Sequence, residues 1–202
     1  MKEPINLITA SVGGQGNILT SEVIGSACAA SGLKITIGET HGLSQRGGSV
    51  TSYLRVSEHF QYGPVVPYGE AHVILGFEPL EAYKLFLSYG SKGTAILFNT
   101  RPNYPTTVLS GLQKYPPIED IQQYLIGQGA KVVSLEATEL ARKAGNVLTM
   151  NIVMTGALCA LGTLPIKKHA FEDVITQLFT EEKKEINFKA FELGYQAVAG
   201  LS

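Results

Sequence analysis

Charge, cysteine and long unbroken apolar stretches are all scarce in this chain. Asp, Glu, Lys and Arg make up 16% of its 202 residues, against roughly 25% in an average soluble protein. The charges nearly cancel, to −1, with no basic block and no acidic tail. That balance excludes nucleic-acid binding by phosphate neutralisation. The two cysteines, Cys28 and Cys159, sit in apolar helical surroundings without a Cys-x-x-Cys partner. By themselves they hold neither an iron–sulfur cluster nor a zinc ion, and they read as buried thiols of a reducing cytoplasm. No metal site is expected. The first five residues lead into a short strand and lack the apolar core of a signal peptide. Residues 145–166 carry no charge over 22 positions, long enough to span a membrane. Three glycines, three threonines, Asn146, Asn151 and Pro165 in that stretch favour a fully buried helix instead.

What the chain does have is a core's worth of apolar residues, 45%, and 22 glycines. Its length suits one well-filled α/β domain over residues 1–202. The low charge has two readings. Glycines displace other residues, or part of the outside is buried against a partner subunit and needs less charge. The second is the reading adopted.

Two glycine loops carry most of the information: Ser11-Val-Gly-Gly-Gln-Gly-Asn17 and Ser44-Gln-Arg-Gly-Gly-Ser49. Each follows an apolar run that reads as a strand, residues 5–10 and 33–37. In an open parallel sheet, two adjacent strands deliver their following loops to the same carboxyl edge, where ligands bind. Around them the periodicity predicts a helix at 17–31 with Leu19, Val23, Ile24, Ala27, Cys28 and Ala30 on one face. Further strands are expected at 49–56, 72–77, 94–99 and 131–135, and further helices at 80–89, 117–127 and 136–144. Residues 61–69 and 101–105 break regular structure. The last third reads as helices at 149–161, 168–179 and 187–198. The expected fold is a Rossmann-like, open, mostly parallel sheet flanked by helices, with a helical C-terminal layer.

In the first loop, glycines let the backbone turn tightly and approach a ligand or a second chain. The helix behind it offers free N–H groups and a positive dipole end to a phosphate or carboxylate. The order Gly13-Gly14-Gln15-Gly16 does not fit the dinucleotide fingerprint, although Glu39 stands where a ribose contact would. The alternatives are a stand-alone nucleotide-binding oxidoreductase using Glu39 for a ribose, or a purely structural subunit whose loops touch only protein. No Gly-Lys-Ser/Thr follows, so the loop is not a P-loop. In the second loop, Arg46 is the single cation between Lys34 and Arg55. A guanidinium fork there suits a phosphate, a carboxylate or a partner's carbonyls. His41 could act as an acid or base, and His72 reads as a satisfied core histidine within a strand. Asn151, on the uncharged helix, needs partners, which capping the first loop or reaching its ligand would supply.

The runs Val12-Gly-Gly-Gln-Gly-Asn-Ile-Leu19 and Glu39-Thr-His-Gly-Leu-Ser-Gln-Arg-Gly-Gly-Ser49 together resemble the gamma domain of the 2-oxoacid:ferredoxin oxidoreductases, above all the small beta subunits of the indolepyruvate (aryl-pyruvate) type. The likeness continues through Gly76-Phe-Glu-Pro-Leu-Glu81, Arg101-Pro-Asn-Tyr-Pro105, Glu136-Ala-Thr-Glu-Leu-Ala141, Asn151-Ile-Val-Met-Thr-Gly-Ala157 and Asn187-Phe-Lys-Ala-Phe-Glu-Leu-Gly194. It departs at Ser11, usually Gly, and at His72, often Asp. The resemblance implies a subunit, inactive alone, of an enzyme that oxidatively decarboxylates a 2-oxoacid to acyl-CoA and CO₂ and reduces ferredoxin. Thiamine diphosphate and iron–sulfur clusters would sit on a larger alpha subunit, since this chain has no Gly-Asp-Gly…Asn-Asn thiamine motif and no cluster cysteines. Coenzyme A would be a co-substrate of the complex. The ligand-binding or subunit-interface residues expected are Gly13, Gly14, Gln15, Gly16, Asn17, Gln45, Arg46, Gly47, Gly48, Ser49 and Asn151. Catalytic residues, and self-association of the isolated chain as a homo-oligomer, stay open.

Overall fold

The computed structural model describes residues 3–41, 48–104 and 106–201, the side chains of His41, Thr106 and Thr107 excepted. Six strands form one sheet: β1 (Ile5–Val12), β2 (Lys34–His41), β3 (Ser49–Ser57), β4 (Val73–Gly76), β5 (Ala95–Asn99) and β6 (Lys131–Leu135), in the order β2-β3-β1-β4-β5-β6. The β1–β4, β4–β5 and β5–β6 pairs are parallel. β3 runs antiparallel to both its neighbours, β1 and β2. β1, β4 and β5 are buried at every position, which is why they read as unbroken apolar runs rather than alternating ones.

Helices cover both faces. On one face Leu7, Leu54, Leu75 and Leu97 pack against α1 (Asn17–Ala30) and the C-terminal helices α6 (Met150–Leu161), α7 (Lys168–Leu178) and α8 (Glu181–Ala199). On the other, Ile8, Ile74, Ile96 and Phe98 meet α2 (Pro79–Tyr89) and α4 (Ile118–Gly127). Between these lie the four-residue α3 (Thr106–Leu109), α5 (Ala137–Ala144) and a 3₁₀ turn at Val147–Thr149. Of the stripe expected on α1, Val23, Ile24, Ala27 and Cys28 are fully buried, while Leu19 is half-buried and Ala30 exposed.

The uncharged stretch forms α6, buried from Met150 to Leu158. No helix among the described residues is long and apolar enough to cross a membrane. α6 and α8 cross at backbone contact. A Cβ on Gly156 would lie 2.0 Å from the Phe191 carbonyl oxygen, and one on Gly194 1.9 Å from that of Val153. Only hydrogen fits at either position. Gly156→Ala and Gly194→Ala are each expected to cost about 2–3 kcal/mol, a fall in melting temperature of roughly 4–12 °C for a chain of this size, read by thermal denaturation followed by circular dichroism.

Candidate functional site

The carboxyl ends of β1, β4, β5 and β6 leave the sheet at one edge, and the site is built there. After β1 the chain turns through Gly13–Gly16 into α1. Gln15 closes that turn: its amide donates to the Val12 carbonyl at 3.2 Å, and its Oε1 accepts from the Val12 amide at 2.8 Å. Gly16 stands at φ +83° as the residue before the helix, and no side chain caps it. That φ, in the left-handed region, suits glycine. The first N–H groups of α1 therefore keep no intrahelical acceptor and point outward, at the positive end of a 14-residue helix. The Gly13 amide donates to the Gly48 carbonyl at 2.9 Å. One hydrogen bond thus joins the first glycine loop to the end of the second.

Beside this loop opens a cleft of about 630 Å³, lined by Gly14, Gln15, Gly16, Asn99, Arg101 and Asn151 among others. Arg101 and Arg142 are its cations. Arg142 is paired with Glu139, whereas no ion pair or hydrogen bond engages the Arg101 side chain among the described residues. Val147 and Leu148, 43% and 78% exposed, form an apolar lip. Backbone amides, an unpaired guanidinium and an apolar rim together suit an anionic ligand with an apolar extension, or a partner's surface.

The turn after β4 holds the cleft's back wall. The Phe77 carbonyl accepts from Gln15 Nε2 at 3.4 Å and Asn99 Nδ2 at 3.3 Å. Asn99 Nδ2 also donates to Thr138 Oγ1 at 3.1 Å. Glu78, 1% exposed, caps α2 by accepting the Glu81 amide at 2.9 Å. Its Oε1 accepts from the Asn103 amide at 3.3 Å and from the Tyr115 hydroxyl. Burial pushes the Glu78 carboxyl above the usual carboxylate range. Its hydrogen bonds from Tyr115, Glu81 and Asn103 offset part of that rise, and the neighbouring Glu81 charge adds to it.

Of the expected site residues, Gly13, Gly14, Gln15, Gly16, Asn17 and Asn151 come together here. Gly48 joins them through its carbonyl, and Ser49 opens β3 opposite Val12. Gln45, Arg46 and Gly47 lie outside the described residues. Asn17 is 4% exposed, donates Nδ2 to Ser52 Oγ at 2.5 Å, and its Oδ1 has no partner among the described residues. Asn151 does not cap the loop by a hydrogen bond. It packs on it, its Nδ2 2.8 Å from where a Gly16 Cβ would stand.

Three expectations are corrected. The strands before the two loops are not adjacent, because β3 lies between β1 and β2. The carboxyl ends of β1 and β2 still lie at the same edge, since both strands run antiparallel to β3. Glu39 consequently lies two strands from β1, against a separate apolar hollow with Tyr53, Pro64 and Tyr89. It is not placed for a ribose in the cleft. His72 precedes β4 at the opposite edge, half-buried, with Nδ1 accepting from the Asn6 amide at 3.0 Å. The departure at that position therefore does not touch the cleft.

His41 ends β2. Burial pushes the Cys28 thiol up to about 12 and the Cys159 thiol up to about 11. Two such thiols on separate helices do not fit an iron–sulfur cluster. Arg101, Asn99, Glu78 and Tyr115 escaped the reading of the loops. The rule that ligands gather at carboxyl strand ends points to Arg101, two residues beyond β5.

A family model described as pyruvate ferredoxin/flavodoxin oxidoreductase matches residues 6–197. The chain belongs to this family. Within it, the indolepyruvate oxidoreductase subunit IorB of Thermococcus kodakarensis is 38% identical, over 98% of this chain and 96% of the relative. The protein of the same name from Pyrococcus horikoshii is 39% identical over the same shares. The gamma subunit of the Geobacter sulfurreducens keto/oxoacid ferredoxin oxidoreductase has a similar fold, with TM-score 0.71 at 22% identity over 97% of this chain and 99% of that one. So does part of the Magnetococcus marinus 2-oxoglutarate:ferredoxin oxidoreductase, solved with 2-oxoglutarate, coenzyme A and succinyl-CoA bound. Its TM-score is 0.78 at 24% identity, over all of this chain and 32% of that one.

The raised Glu78 carboxyl sets a pH dependence. A group favoured as its acid in the folded state contributes stability that is fully present below its unfolded pKa, roughly 4.3. That contribution is lost as pH rises through the folded value. Glu78→Gln, neutral at every pH, is therefore expected to gain stability relative to the wild type as pH rises from about 4 to 8, measured by urea unfolding of both proteins across that range.

Proposed function

We propose that this chain, residues 1–202 acting as one gamma-type unit, is the small subunit of a cytoplasmic 2-oxoacid:ferredoxin oxidoreductase of the aryl-pyruvate type. It works on a larger alpha subunit that carries thiamine diphosphate and iron–sulfur clusters and selects the 2-oxoacid. The complex converts the 2-oxoacid and coenzyme A to acyl-CoA and CO₂, with the electrons going to ferredoxin. The observation that carries this reading is the pair of glycine loops joined by the Gly13–Gly48 hydrogen bond beside a cleft with an unpaired arginine. Full-length similarity to proteins named as oxidoreductase subunits supports it.

In this reading the amides of Gly14, Gly16 and Asn17, with Arg101 and with Arg46 from the second loop, receive the anionic part of coenzyme A. The apolar lip at Val147 and Leu148 meets the alpha subunit. The chain alone is inactive, because its side of the pocket is incomplete and nothing in it supplies the carbanion or electron-transfer chemistry.

A charge-assisted contact to a phosphate is worth about 1.5–3 kcal/mol. Arg101→Ala and Arg46→Ala in the reconstituted complex are thus each expected to raise the KM for coenzyme A about tenfold or more. The fall in kcat should be smaller, by steady-state kinetics. An unchanged KM in both, with assembly intact by size-exclusion chromatography, would contradict the anion role.

A further inference from the structure

We propose that Glu78 is the positioning residue of the cleft: through Asn103 and Tyr115 it fixes the segment carrying Arg101 opposite the glycine loop. The inference rests on the cleft being the anion site argued above. Glu78 takes three donors from two directions. Its Oε2 accepts the Glu81 amide at 2.9 Å, within α2. Its Oε1 accepts the Asn103 amide at 3.3 Å and the Tyr115 hydroxyl, the two ends of an excursion that begins just past Arg101. The same hydroxyl accepts the Leu80 amide at 3.2 Å, and the Tyr104 and Tyr115 rings meet edge-on with centroids 5.2 Å apart.

Among its described residues the excursion contributes little core of its own. It holds one four-residue helix and exposes Leu109 and Leu112, 72% and 79% accessible. Its placement therefore depends on its anchors. One residue earlier, the Phe77 carbonyl takes Gln15 from the glycine loop and Asn99 from the end of β5. Residues 77 and 78 thus hold three walls of the cleft in mutual register.

The choice of glutamate also needs explaining. Helix capping alone is served better by Ser, Thr, Asn or Asp, and a carboxyl that is 1% exposed is costly to bury. The extra methylene is what lets one carboxyl cap α2 and still reach Asn103 and Tyr115.

Two substitutions separate the roles. Glu78→Asp keeps the acid and the cap but shortens the reach, and Tyr115→Phe removes only the hydroxyl at the far end. In each, hydrogen exchange at the Asn103 amide of the isolated chain is expected to accelerate about tenfold. In the assembled complex, KM for coenzyme A is expected to rise about fivefold or more, outweighing any fall in kcat, with the double variant no worse than either single. Unchanged exchange in both variants overturns the proposal. So does faster exchange with unchanged KM where Arg101→Ala still raises KM, since the segment's placement would then not matter. If Arg101→Ala itself leaves KM unchanged, the anion reading of the cleft fails, and the ligand-directed part of this role fails with it. Loss of assembly in both variants overturns it in favour of a general structural role. Should Glu78→Asp not fold, Tyr115→Phe decides.

Discussion

β1 is buried along its whole length and hydrogen-bonded on both sides, to the reversed β3 and to the parallel β4. That placement decides where everything functional can go. Because β3 starts where β1 ends, the connection that enters β3 must close beside the loop that leaves β1, and the Gly13–Gly48 hydrogen bond is the result. Because β4 runs with β1, the Phe77–Glu78 turn emerges at the same edge and can reach Gln15. Because β5 and β6 follow in the same sense, Asn99, Arg101 and Thr138 complete the row. Of these contacts, the Gly13–Gly48 hydrogen bond is the one that depends on β3 lying beside β1.

The chemistry gathered there is lopsided. It has outward amides, an unpaired guanidinium and a buried carboxyl that faces inward to hold backbone. Among the described residues it has no nucleophile with an activating base, and the two cysteine thiols are pushed up by burial. The apolar lip and the low overall charge fit a surface finished by another polypeptide.

Much of the fold was legible because burial on two faces leaves a plain signature. The runs at β1, β4 and β5 and the stripes of α1, α4 and α7 announce themselves locally. The strand order does not, since the insertion of β3 between β1 and β2 is a long-range pairing that no short window contains. α8 begins at Glu181, six residues before the apolar stripe suggests, because its first turns are charged and lean on the Glu181–Lys184 pair instead of the core. In the site, the glycine loop and Asn151 could be read from their residue types. Arg101 does not stand out in the sequence, since its place beside the glycine loop follows from the order of β1, β4 and β5. Glu78 was not legible in this way, because its partners Asn103 and Tyr115 lie 25 and 37 positions away in the chain.

The central claim is that this edge is half of an anion site which a larger subunit completes. Calorimetric titration of coenzyme A into the isolated chain, the isolated alpha subunit and the assembled complex tests it most directly. The account predicts binding to the complex at least about tenfold tighter than to either part. Micromolar binding to this chain alone, or equal binding to the alpha subunit with and without it, would contradict the account.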